Sequence, residues 1–136
     1  MRRLASLAVL IVLAGVPAPV HAADKDQIEK RYSVIYAACM EKAASTADYV
    51  DCIGAELTFQ DKYLNRRYQD LMAELTPAQK DKLRKAQRDW MAFRDSWCAA
   101  QQDSDWGSLS TIVANQCVLD QTIGRTIDLE NYPPGT

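Results

Sequence analysis

Past its first two dozen residues, this chain repeats apolar positions at helical spacing and shows little strand signal. The first stretch runs from about Asp24 to Ala44 and puts Tyr32, Ile35, Tyr36 and Cys39 on one face. Ser45 or Thr46 then caps a second helix, with Asp48 in its first turn, where a negative charge suits the macrodipole. That helix reaches about Leu75 on a stripe of Ile53, Leu57, Leu64, Tyr68, Leu71 and Leu75, broken only at Gln60-Asp61. Thr76-Pro77-Ala78-Gln79 is a helix start: Thr76 caps, Pro77 takes the first helical position and Gln79 completes a capping box. The third helix extends to about Gln102 along Leu83, Ala86-Gln87, Trp90, Phe93-Arg94 and Trp97. Asp103 to Ser108 reads as a turn. A fourth helix follows from about Leu109 to Glu130, with Ile112, Gln116, Leu119, Ile123 and Ile127 on one side, and Tyr132-Pro133-Pro134-Gly135 ends it.

Turns this short force consecutive helices antiparallel. In an antiparallel pair, residues equidistant from the turn lie level, which orders the four cysteines. Cys39 and Cys52 are centred on Ser45-Thr46, and Cys98 and Cys117 on Gly107-Ser108. Each pair then faces itself across its own hairpin, about two helical turns from the loop. The predicted fold is all-α, an antiparallel four-helix bundle made of two disulfide-stapled helical hairpins, with bonds Cys39–Cys52 and Cys98–Cys117. Each staple closes a loop of roughly 14 to 20 residues, worth ~3 kcal/mol in the chain-entropy model. The spacings contain no Cys-x-x-Cys, so a zinc or redox site is the poorer reading.

The N-terminus changes where this domain is placed. Arg2 and Arg3 form a positive n-region, Leu4 to Val16 is apolar, and Pro17 and Pro19 follow. Val20-His21-Ala22 presents small residues where a signal peptidase reads, so residues 1–22 are expected to be a signal peptide and 23–136 a single helical domain. The apolar run is too short to span a bilayer in the mature protein. No cysteine follows the cleavage site to anchor a lipid. A periplasmic or secreted protein, with no membrane insertion after cleavage, is expected; export also suits the disulfides.

Cleavage takes two positive charges and no negative one from a net charge of −2, leaving −4. An acidic surface argues against nucleic acid and anionic membrane as partners. Cleavage also removes His21, the sole histidine. Ser–His and Cys–His nucleophile pairs, and the usual histidine-containing zinc and iron sites, are thereby excluded. No catalytic residue, metal or cofactor is expected.

The hairpin levels bring one polar group together. Trp90 lies level with Asp61, while Gln87 and Arg94 fall within about one helical turn of it. Arg125 lies level with Trp90 across the last turn. Asp61, Gln87, Arg94 and Arg125 are therefore expected to form a buried ionic layer, Asp61 held ionised between two arginines, that fixes helix register. A glycosidase would need a second carboxylate opposite Asp61; Glu56 should point elsewhere on its helix, and the chain is read as no enzyme. Trp90, Phe93 and Trp97 are read as core rather than as a sugar-stacking platform.

These residues also carry a likeness. Asp61-x-x-Leu64-Asn65-x-x-Tyr68-x-x-Leu71-Met72 precedes Leu83-x-x-Ala86-Gln87-Arg88-x-Trp90-x-x-Phe93-Arg94-Asp95-x-x-Cys98, then Cys117, Thr122, Arg125 and Leu129. Together they resemble the LprI-type lysozyme-inhibitor domain family over roughly Tyr36 to Leu129. Where that family often has a Gly-Gly-Ser turn, this chain has Trp106-Gly107-Ser108. The resemblance implies an exported bacterial four-cysteine helical domain, and a protein partner such as a basic lysozyme or another cell-wall hydrolase. Electrostatic steering would favour an acidic inhibitor of a basic enzyme. Asp103, Asp105 and Trp106, an acidic aromatic turn above Cys98–Cys117, form the candidate partner-binding loop. The alternative is a non-inhibitory envelope interaction module, such as an immunity protein or accessory subunit.

Overall fold

The computed structural model describes residues 24–133; the expected signal peptide lies outside them. Among the described residues there are five α-helices, one 3₁₀ turn and no strand: α1 Lys25–Glu29, α2 Val34–Lys42, α3 Thr46–Glu74, α4 Pro77–Ala99, the 3₁₀ turn Ser104–Trp106, and α5 Ser108–Glu130. Three of the expected helices keep their identity and nearly their ends. The first does not: the stretch expected as one helix from Asp24 to Ala44 is two.

The break has a tertiary cause. Ser33 leaves helical geometry (φ −70°, ψ 154°) and starts α2, its Oγ accepting from the Tyr36 N–H. The carboxylate of Glu56, buried on α3, takes the Ser33 N–H at 3.0 Å and the Ser33 hydroxyl at 2.6 Å. Gln60, also buried, donates from Nε2 to the Arg31 carbonyl and to Glu56. These bonds satisfy the groups that a helix break exposes. They also fill the gap in the α3 stripe: Gln60 occupies it as a polar core residue. Helix α2 restarts in a new phase, so Ile35, expected beside Tyr36, is 78% exposed while Tyr36 is buried.

The other helix ends follow local chemistry. At α3, Ser45 Oγ accepts from the Asp48 N–H and Asp48 Oδ2 from the Ser45 N–H, a capping box. The Ala44 N–H, together with the Ser45 hydroxyl and N–H, holds the Asp48 carboxyl below the usual carboxylate range. At α4, Thr76 and Gln79 form the same device, with Pro77 at the start.

Helices α3 and α5 make the principal pairing; α2 docks on α3, and α4 and α1 on α5. Helix α5 also buries small and back-bonded residues. Ala114, Ser110, Thr122 and Thr126 are buried, and the two threonine hydroxyls are satisfied by the Val118 and Thr122 carbonyls. One core cluster joins Tyr36, Cys52 and Ile53 to Leu119, Ile123 and Ile127. The other joins Leu64, Leu71, Leu75 and Leu83 to Leu129. Consecutive helices α3 and α4 make little close backbone approach.

The disulfides are Cys39–Cys52 and Cys98–Cys117, the level pairs, with Cα separations of 5.7 and 5.5 Å. A polar clamp adds a third tie. Tyr32 OH donates to Asp120 Oδ1, Gln116 Nε2 donates to both, and Tyr36 OH donates to Gln116 Oε1 at 2.7 Å. Burial pushes the Asp120 carboxyl up, against the pull of the Tyr32 and Gln116 donors. Arg31 pairs with Glu130 and holds its carboxyl low, joining the segment after α1 to the end of α5.

Candidate functional site

The α4–α5 connection is an exposed turn with its own hydrogen bonds. Asp103 Oδ1 accepts from the Asp105 N–H at 2.9 Å, and the Trp106 N–H reaches the Asp103 carbonyl at 3.2 Å. Gly107 sits at φ 57°, the one position here where a side chain would be strained, and turns the chain into α5. The Ser110 hydroxyl donates back to the Gly107 carbonyl at 2.8 Å. Below the turn, buried Cys98 bonds Cys117, whose Sγ accepts from Gln101 Nε2. The outward face carries the exposed carboxylates Asp103 and Asp105, with Trp106 55% and Leu109 56% exposed. An exposed aromatic on the same turn as two carboxylates is a surface that a basic protein can cover.

The expected ionic layer is only partly assembled. Gln87 and Arg125 meet: Arg125 Nε donates to Gln87 Oε1 at 3.0 Å. Arg94 and Arg125 both lie over the Trp90 ring, at 5.0 and 5.8 Å from its centroid. Asp61, however, is not clasped between them. Its Oδ2 accepts from Asn65 Nδ2, one turn along α3, at 3.1 Å. Arg94 takes its neighbour Asp95 at 2.8 Å, and Arg125 reaches Asp128 at 3.8 Å. Level position brought Asp61, Gln87 and Arg94 to one groove between α3 and α4, but Asp61 and Arg94 are each paired along their own helix. Burial of the Arg125 guanidinium lowers its pKa, against the opposing pull of Asp128.

The α4 aromatics also divide. Trp90 is half-buried under its two guanidinium groups, whereas Phe93 and Trp97, expected in the core, are 53% and 51% exposed. Their rings stack on each other at 6.3 Å and 8°. Helix α4 docks mainly along α5 and meets α3 through Leu83, so the band it buries is narrower than its apolar pattern. Glu56 points away from Asp61, as expected, and serves Ser33. Its role, and that of the Tyr32–Asp120–Gln116–Tyr36 clamp, was not legible. The available hint was the four-residue spacing of Gln116 and Asp120, which puts two polar groups together on a helix face.

Among the described residues no three metal-ligating side chains gather, and no helix is long and apolar enough to cross a membrane.

Comparison with known proteins places this geometry. No solved structure matches the chain. An uncharacterized protein of Rhizobium meliloti (strain 1021) is 27% identical over 103 residues, 65% of this chain and 74% of its own. The family model described as lysozyme inhibitor LprI matches residues 38–129, from the α2 residue before Cys39 to the last turn of α5. With both disulfide pairs, the α3–α4 motif residues and the projecting turn inside that match, the chain belongs to the LprI lysozyme-inhibitor family.

Proposed function

We propose that this protein is an exported inhibitor of lysozyme or a related peptidoglycan hydrolase, acting in the periplasm or after secretion once residues 1–22 are removed. The observation that carries this reading is the family match across residues 38–129. Two disulfides, stable in oxidising compartments, support export. On this reading residues 23–136 are one domain, its stapled hairpins α2–α3 and α4–α5 arranged as an antiparallel four-helix bundle.

The binding element of the proposal is the projecting turn. Asp103 and Asp105 steer a basic enzyme, and Trp106 fills a pocket on it. The turn is held by Gly107, by its own hydrogen bonds and by Cys98–Cys117, so little ordering entropy is lost on binding. The protein inhibits through this contact and performs no chemistry. The test is inhibition of several lysozyme classes by the oxidised protein. Asp103→Ala/Asp105→Ala should slow association with a basic lysozyme and flatten its salt dependence. Trp106→Ala should raise the dissociation rate. If the wild-type protein inhibits no hydrolase at micromolar concentration, the reading is wrong, and a stable partner other than a hydrolase assigns the protein to an envelope interaction module.

A further inference from the structure

Between α3 and α4 lies an open groove of about 310 Å³, at the small end of the range for ligand sites. It exists because the backbones of the two helices rarely approach closely, while Leu71, Leu75 and Leu83 pack together beside their turn. The groove walls differ in chemistry. Helix α4 lines it with Arg84, Arg88 and Arg94, against the single carboxylate of Asp61 from α3. This is a local reversal of sign in a chain of net charge −2. Arg84 and Arg94 have carboxylate neighbours, Asp81 and Asp95, but these side chains are 79% and 64% exposed and screened by solvent. Arg88 has no ion-pair partner among the described residues. Gln87, 9% exposed, is oriented by Arg125: its carbonyl oxygen accepts from Arg125 Nε, so its amide nitrogen remains a donor without a described partner.

The α3 wall has the opposite character. Asn65 donates to Asp61 Oδ2, which leaves the Asn65 carbonyl oxygen and Asp61 Oδ1 as acceptors. Tyr68 and the immobilised Trp90 complete the lining with aromatic surface. One wall donates and the other accepts.

We propose that this groove binds an acidic saccharide, a carboxylated pyranose that also carries hydroxyl or acetamido donors. The carboxylate is taken by Arg88, with Arg84 and Arg94 beside it, as charge-assisted hydrogen bonds. The hydroxyl and amide hydrogens go to Asp61 and Asn65, and the apolar face of the ring lies on Tyr68. A neutral sugar leaves the arginines unused. An aspartate or glutamate side chain offers acceptors only, and meets Asp61 with repulsion. The groove is lined by residues of mid-α3 and mid-α4 and by none of the Asp103–Trp106 turn, so this proposal and the inhibitor reading stand or fall separately.

The test is a two-dimensional NMR titration of the oxidised protein with N-acetylmuramic acid, N-acetylglucosamine and a hexaglutamate peptide. N-acetylmuramic acid should shift the Trp90 indole and the Asn65 and Gln87 side-chain amides with saturation in the millimolar range. N-acetylglucosamine should bind about tenfold more weakly, the loss of one charge-assisted contact. Arg88→Ala should remove that preference, and Asn65→Ala should weaken both sugars alike. Both substitutions are at exposed positions, and an unchanged spectrum outside the groove confirms the fold. Absence of saturable shifts with N-acetylmuramic acid overturns the proposal. So does a binding constant that Arg88→Ala leaves unchanged, or tighter binding of hexaglutamate, which would assign the groove to an acidic protein segment.

Discussion

Replacing Glu56 by alanine tests how the first helical hairpin is joined to the rest. The Glu56 carboxylate is 4% exposed and accepts three hydrogen bonds: from Ser33 N at 3.0 Å, Ser33 Oγ at 2.6 Å and Gln60 Nε2 at 2.7 Å. Two of the three donors have other ties. Gln60 keeps the Arg31 carbonyl at 2.8 Å, and Ser33 Oγ keeps the Tyr36 N–H. The Ser33 N–H has no other partner among the described residues, and orphaning a donor in this part-buried site costs about 1–3 kcal/mol. Adding the lost charge-assisted bonds and the void, and subtracting the relieved desolvation of the carboxylate, Glu56→Ala should destabilise by about 3 kcal/mol. Glu56→Gln gives a sharper contrast. Oxygen Oε1 accepts two of the bonds and Oε2 only that from Ser33 Oγ, so an amide nitrogen at the Oε2 position can donate to the serine oxygen instead. The glutamine variant should therefore lose less than about 1 kcal/mol. Urea unfolding followed by far-UV circular dichroism measures both, and amide exchange at Ser33 should accelerate only in the alanine variant. If alanine costs under about 1 kcal/mol, or glutamine costs as much as alanine, the bonds to Ser33 do not hold the helix break.

Two further outcomes are expected. The disulfides close sequence separations of 13 and 19 residues, so Cys39→Ala/Cys52→Ala and Cys98→Ala/Cys117→Ala should each cost about 3 kcal/mol, slightly more for the second. Hydrogen exchange at residues 103–107 should quicken only in the second pair, and unchanged urea midpoints in both variants would refute the entropic account. Asp120→Asn keeps an acceptor for Tyr32 and Gln116 and removes a carboxylate whose pKa burial raises. A raised carboxyl pKa means that the folded state binds the proton more tightly. Its contribution is complete below the ordinary Asp value and is lost as pH rises through the raised one. The asparagine variant should therefore gain on the wild type at neutral pH and lose that gain in acid; urea midpoints across the acid range check the sign, and an advantage that grows in acid contradicts it.

Much of the fold was legible because its signals are local. The Ser45–Asp48 and Thr76–Gln79 boxes form from residues three apart, whatever else the chain does. Gly107 marks its turn because the backbone there needs a positive φ. The cysteine pairs were legible for a related reason: each spans a single hairpin, so distance from the turn sets the height of both partners. The same reasoning failed at Asp61. Height along a helix follows from counting residues, but the separation of two helices depends on what lies between them, and α3 is drawn to α5 rather than to α4.

The candidate sites divide in the same way. The chain's own sequence determined the acidic aromatic composition of the Asp103–Trp106 turn, its position above a disulfide and the lack of histidine beyond residue 21. Tertiary structure alone decided that Ser33 interrupts the first helix, because Glu56 and Gln60 reach it from 23 and 29 residues away in their bonds to Ser33 and Arg31. It alone exposed Phe93 and Trp97, and opened the groove lined by Arg88 and Asn65. Caps, turns and hairpin heights are settled within one or two helical turns of chain. Which face of a helix is buried, and how far it stands from its neighbour, is settled by competition among all the helices for the same core.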